Sequence, residues 1–176
     1  MLVILDRDGV INHESTEYVK VPDEWIPIEG SLEAIAALKN AGHLVVIMTN
    51  QAGIGRGIIK KEDLDAIHVK FQALLSDLGV SIDGIYFCPH HPDDKCDCRK
   101  PEPGMLKQIK KDFPAVWDDK LLIGDSVRDM QAGAAMGCPF WLVQTGYGKG
   151  FIDAGEIPED VPVFPDLAAA VSNLLD

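Results

Sequence analysis

The chain has 176 residues, 47% of them hydrophobic, which is enough to bury one core without a partner. Its 28 acidic and 16 basic side chains leave a formal charge of -12, which repels nucleic-acid backbones and anionic membranes from most of the surface and excludes both as bulk partners. No apolar run approaches the ~20 residues of a membrane span, and the opening Met-Leu-Val-Ile-Leu is too short for a signal-peptide core, so a cytoplasmic, monomeric single domain over residues 1–176 is expected.

In chain order, the first apolar run, residues 2–5, is short and aliphatic and stops at Asp6, as a buried strand does. Residues 31–40 carry apolar positions at helical spacing, and residues 43–48 form a second apolar run that ends at Thr49-Asn50-Gln51. A helix over 62–78, a strand at 85–87, a helix over 104–112, a strand at 121–123, a helix over 126–136 and a strand at 140–143 continue the alternation. The Gly- and Pro-rich stretch 146–165 reads as a surface loop before a last helix. Strands alternating with helices predict an α/β fold, a doubly wound three-layer sandwich on a parallel sheet. Right-handed crossovers then put the carboxyl ends of the strands on one rim, where ligands bind.

Each strand end carries chemistry. In Leu5-Asp6-Arg7-Asp8-Gly9 an extended backbone puts Asp6 and Asp8 on one face and Arg7 on the other, so two carboxylates can share one substrate. One can attack phosphorus while the other protonates the leaving oxygen and later deprotonates water. Charges that close need a cation. A magnesium ion taking an oxygen from Asp6, a backbone carbonyl near Asp8 and a remote carboxylate supplies it. Thr49, with its hydroxyl, suits phosphate oxygens, as do the amides around it. Arg99 and Lys100 bring two cations into an acidic protein. Gly124-Asp125-Ser126-Val127-Arg128-Asp129 opens a helix whose N–H groups can face an anion while Asp125 reaches the magnesium, with Ser126 toward the substrate and Asp129 in support.

The segment from Cys88 to Cys98 joins a Cys-x-His arm to a Cys-x-Cys arm across five residues, a spacing that closes a tetrahedral zinc site from Cys88, His90, Cys96 and Cys98. His90 is preferred because Cys-x-His mirrors Cys-x-Cys in reach, with His91 as the alternative. All four positions are then taken by protein, so the zinc is structural: a short polar loop gains its folding energy from the ion. Cys138 reads as a core thiol, and His13, His43 and His68 default to structural roles.

The order DxDG, Thr, Lys, GDxxxD across Asp6 to Asp129 resembles the haloacid dehalogenase superfamily of phosphatases. That resemblance implies a Rossmann-like fold, Asp6 as nucleophile, Asp8 as general acid and base, Thr49 and Lys100 as phosphoryl stabilisers, and Asp6, Asp8 and Asp125 as the magnesium set. Residues 10–44 leave no room for a cap domain of even the smallest usual size, about 50 residues, so a loop must help select the substrate. The strings TNQAGIGRG and CPHHPDDKCDCRKPEPGM are similar, more narrowly, to the D-glycero-D-manno-heptose 1,7-bisphosphate phosphatase family. This implies removal of the 7-phosphate of a small sugar bisphosphate on the route to nucleotide-activated heptose for the lipopolysaccharide core. It further implies substrate contacts at Thr49, Asn50, Gln51, Ala52 and Arg99. Glu14 and Tyr18 offer a carboxylate and a phenol to sugar hydroxyls, in a segment longer by one residue than the family pattern. Histidinol phosphate is the alternative substrate, and a non-catalytic module that binds a phosphorylated ligand is the alternative outside enzymes.

Overall fold

The computed structural model describes all residues, Met1–Asp176. Six strands form one parallel sheet: β1 (Leu2–Leu5), β2 (Leu44–Asn50), β3 (Gly84–Cys88), β4 (Lys120–Gly124), β5 (Phe140–Val143) and β6 (Val163–Phe164). Their spatial order is β3-β2-β1-β4-β5-β6, so the winding reverses beside β1, between it and β4. The crevice at such a reversal is where open α/β sheets bind ligands. In register, Leu5 lies between Ile47 and Ile123, which brings the residues that follow β1, β2 and β4 to one rim.

The helices are α1 (Ser31–Asn40), α2 (Ala52–Gly55), α3 (Lys61–Asp77), α4 (Gly104–Asp112), α5 (Val127–Ala135), α6 (Gly148–Asp153) and α7 (Leu167–Leu175). Strand β1 shows why there are three layers. Val3 and Leu5 join a core with Trp25, Ile35, Phe71 and Leu167, under α1, α3 and α7; Leu2 and Ile4 join a second core with Leu106, Ile109 and Ala132, under α4 and α5. All four side chains are fully buried, each contributing on the order of 1.5–3 kcal/mol of burial. The alternation of a strand between two cores fixes its register, because a slip of one residue would exchange the two sets.

The predicted elements are present with small shifts. The second strand begins at Leu44 rather than His43 and runs on through Thr49 and Asn50. The helix expected over 126–136 starts one residue later, with Ser126 as its cap: Asp129 N donates to Ser126 Oγ at 3.3 Å. The stretch 146–165 is a correction. It holds α6 and the short edge strand β6, whose Val163 and Phe164 pair with Leu142 and Val143.

Candidate active site and metal centre

At the rim, Asp6 leaves β1 with its amide still donating to Ile123 O at 3.1 Å, so its position is set by the sheet. The chain then bends, and Arg7 N donates to Asp6 Oδ1 at 2.7 Å. Lys100 reaches in from the segment after the cysteine loop, 2% exposed. Its Nζ sits 2.8 Å from Asp6 Oδ2 and 2.6 Å from Asp129 Oδ1 and donates to Met48 O at 3.0 Å. Asn50 holds that lysine by its peptide groups: its Oδ1 accepts from Lys100 N at 3.0 Å and its Nδ2 donates to Lys100 O at 3.2 Å.

Oxygens of Asp6, Asp125 and Asp129 lie within 4.8 Å of one another. Asp125 Oδ2 accepts from Tyr147 N at 2.9 Å, and Asp129 Oδ2 accepts from Ser126 Oγ at 2.6 Å. The Tyr147 contact requires Gly146, at φ +59°, because a Cβ there would overlap Asp125 Oδ2 and crowd Gly9. Burial, only partly offset by Lys100, raises the Asp6 carboxyl to about 7. Burial and the charges of Asp6 and Asp129 raise Asp125 to about 8. Burial works against the Lys100 ammonium, but Asp129 and Asp6 outweigh it and hold the lysine protonated. One cation among three buried carboxylates leaves a set of hard oxygen donors with excess negative charge, which fits a magnesium ion.

Asp8 differs. Its carboxylate is outside that cluster: Oδ1 accepts from Arg7 and Asn12 at 2.8 Å each, and Oδ2 accepts from Gln51 at 2.8 Å and Arg7 at 3.0 Å. Burial opposes its ionisation, yet Arg7 and the amide donors hold its pKa below the usual range. What remains for a metal near Asp8 is main-chain oxygen. The extended-strand expectation that Arg7 points away from Asp8 fails because the chain bends at Arg7, where strand alternation no longer applies.

A cleft of about 240 Å³ gathers Asp6, Asp8, Thr49, Lys100 and Asp125 with Glu14, Tyr18, Asn50, Gln51, Ala52, Arg99 and Ser126, every proposed catalytic and substrate residue. The side chains of Asn50 and Gln51 are turned to protein: Gln51 Nε2 also donates to Thr49 Oγ1 at 2.9 Å. Arg56, Arg128 and Tyr147 line the same cleft and were not singled out from sequence. Arg56 lies in the GIGRG run and Arg128 in GDSVRD, so both were in view as motif letters; Tyr147 belongs to the stretch read as loop. Burial and the nearby Arg128 lower the pKa of Arg99, whose Nη1 is buried with no protein partner.

The second centre is the cysteine loop. Cys88 Sγ is 3.1 Å from Cys98 Sγ and 3.6 Å from Cys96 Sγ, and His90 Nδ1 is 3.2 Å from Cys98 Sγ and 3.5 Å from Cys88 Sγ. A tetrahedron with metal–sulfur bonds of ~2.3 Å has edges of roughly 3.5–3.8 Å; two of these separations match and two are shorter, so the four donors converge on one point and would open slightly around a closed four-ligand metal. His91 is occupied otherwise. Its Nδ1 accepts from Asp93 N at 3.1 Å, capping the 3-10 turn Pro92–Asp94. Gly55 packs on this loop so tightly that a Cβ would overlap His91 N, which joins the GIGRG segment to the metal loop.

The sheet order and the carboxylate rim define a phosphatase of the haloacid dehalogenase class, with no cap domain. A HAD-superfamily hydrolase from Geobacter sulfurreducens shares the fold at 14% identity, with a TM-score of 0.62 over 98% of each chain. A family model described as polynucleotide kinase 3 phosphatase matches residues 2–137. D-glycero-beta-D-manno-heptose-1,7-bisphosphate 7-phosphatase of Bordetella bronchiseptica is 48% identical over 99% of this chain and 97% of its own. The enzyme of that name from Pseudomonas aeruginosa is 48% identical over 99% and 97%. A crystal structure of D,D-heptose 1,7-bisphosphate phosphatase from B. bronchiseptica, complexed with magnesium and phosphate, superposes with a TM-score of 0.95 at 48% identity, covering 99% and 97%. The chain belongs to the heptose-1,7-bisphosphate 7-phosphatase family.

Proposed function

We propose that this protein, acting as one domain over residues 1–176, removes the 7-phosphate of D-glycero-β-D-manno-heptose 1,7-bisphosphate through a phosphate ester on Asp6. The observation that carries this is Lys100 Nζ, 2.8 Å from Asp6 Oδ2 in a cleft that also presents Asp8 and a pair of arginines, Arg99 and Arg128. Magnesium, held by Asp6, Asp125 and a main-chain oxygen near Asp8, supplies charge neutralisation between carboxylate and phosphate. Asp6 attacks phosphorus, the bond to the sugar oxygen breaks, and that oxygen takes its proton from Asp8. Water, losing a proton to Asp8, then attacks the same phosphorus and frees Asp6. The ionised Asp8 that Arg7 and the amide donors favour is the form the second step uses. Lys100 and Thr49 offset charge growing on the phosphoryl oxygens.

Arg99 and Arg128 suit the phosphate that is retained. A single phosphate with an amine, as in histidinol phosphate, would leave both guanidiniums unpaired, so the bisphosphate is favoured. Glu14 and Tyr18 face the sugar hydroxyls, and Ser126 and the main chain from Asn50 to Ala52 face the phosphoryl group. Cys88, His90, Cys96 and Cys98 hold a structural zinc that sets the loop leading into Arg99 and Lys100. Unpaired thiols gathered for a metal fit the reducing cytoplasm, and the protein is taken to act there as a monomer. The test is phosphate release, with magnesium, from a panel of sugar mono- and bisphosphates and histidinol phosphate. Preference for the heptose bisphosphate by at least about 100-fold in kcat/KM, some 2.7 kcal/mol, is expected. Equal turnover of histidinol phosphate would overturn the reading.

A further inference from the structure

Arg7 is 1% exposed and does not line the cleft, so it cannot touch a substrate. Its guanidinium spends Nη2 on both oxygens of Asp8, at 2.8 and 3.0 Å, and Nε on Oδ1 at 3.2 Å. Nη1 turns the other way, to His68 Nε2 at 3.3 Å on α3. A guanidinium only donates, so this contact is a hydrogen bond when Nε2 carries the lone pair and the ring proton sits on Nδ1. Burial and the charge of Arg7 keep the ring neutral, with a pKa pushed down to about 4. Burying an ion pair is a poor way to stabilise a fold, since an apolar side chain of similar volume does as well or better. The arrangement calls for another use.

We propose that Arg7 is a positioning residue that fixes the Asp8 carboxylate for proton transfer, and that His68 anchors Arg7 from behind. The inference rests on the proposed phosphatase reading, in which Asp8 protonates the leaving oxygen. Asn12 and Gln51 hold one oxygen each, but only Arg7 spans both, which stops the carboxylate turning about its last bond. His68 in turn holds the far end of the guanidinium through Nη1.

The test compares two leaving groups. The sugar oxygen of the heptose bisphosphate needs a proton to depart, whereas the phenolate of p-nitrophenyl phosphate does not, and kcat/KM reports the steps through P–O cleavage. Arg7→Met is expected to lower kcat/KM about 100-fold for the heptose bisphosphate, as for a displaced catalytic group, and under about 5-fold for the aryl phosphate. His68→Leu, which leaves Arg7 in place, should show the same asymmetry at about 10-fold, with KM unchanged and His68→Gln restoring most of it through its side-chain acceptor. Circular dichroism and thermal melts establish that each variant is folded; if Arg7→Met does not fold, the His68 pair decides. Equal losses on both substrates, or an unchanged or raised rate on the heptose bisphosphate, would overturn the inference. A wild-type protein that fails to hydrolyse the heptose bisphosphate would overturn the phosphatase reading instead.

Discussion

The carboxylate rim and the cysteine loop both crowd groups that repel one another when ionised, yet they are built in opposite ways. Asp6 and Asp125 stand at the ends of central strands with buried flanks, and Lys100 supplies a cation from the protein itself. The loop from 88 to 98 buries only Cys88; the rest is half-buried or exposed, held by one 3-10 turn and its caps. A rim of this kind exists before any ion arrives, because sheet hydrogen bonds and core packing fix it. The loop has too little apolar burial to offset the entropy of ordering it, so a bound ion would supply that order. On the proposed reading, the nucleophile stands on the rigid part and the loop that leads into Arg99 and Lys100 is the part a metal would order.

The largest expected effect tests the rim. Asp6→Asn fills the same space without a nucleophile and should lower kcat by roughly 10⁴-fold or more while the melting temperature stays near wild type. Near-normal turnover would remove the covalent route. Next is the loop: Cys96→Ala should release the zinc, measured by elemental analysis, and lower kcat/KM about 10–100-fold through both KM and kcat. If zinc-free protein kept wild-type kcat/KM, the loop would not be positioning Arg99 and Lys100, and the division of labour would be wrong.

Smaller effects sharpen the contrast. Arg128→Ala should raise KM for the bisphosphate about 3- to 10-fold with kcat nearly unchanged, since Arg128 is exposed and a single charged hydrogen bond is lost. A raised KM for p-nitrophenyl phosphate by the same factor would place Arg128 at the reacting phosphate instead. The smallest is a pH effect on magnesium-free protein with zinc left in place. Folded Asp6 and Asp125 keep protons up to about 7 and 8, whereas the unfolded chain releases them near 4. Between those values the unfolded state binds fewer protons, so this contribution to stability falls as pH rises. Thermal melts across that window should therefore drop more steeply for wild type than for Asp125→Asn, and magnesium should abolish the difference. Parallel curves without magnesium would mean the carboxylates are not crowded as described.

Much of this was legible in the sequence because strand ends are. Aliphatic runs stopping at Asp6, Thr49 and Asp125 give both the sheet and the rim, and the Cys-x-His and Cys-x-Cys arms give the second cluster, whose nitrogen donor is decided between His90 and His91 only by the fold. The misreadings have two causes. Alternation along a strand assigns faces only while the backbone stays extended, so it sent Arg7 away from Asp8, and it had no means of bringing His68 to Arg7 across 61 positions. Elements α6 and β6 are six and two residues long, too short to show a period amid Gly and Pro, and Tyr147 was hidden with them. Arg128 sat inside a recognised motif, but which way it leans depends on α5 packing against β4 and β5.

The contact between Gly55 and the backbone at His91 couples two loops that lie far apart in the chain. Neither can drift alone, since any side chain at position 55 would push the metal loop off its ligands, and any bulge at 90 or 91 would push α2 away from the rim. A change in either segment therefore calls for a matching change in the other. Glu14 and Tyr147 line the same cleft from other segments and take no part in that contact.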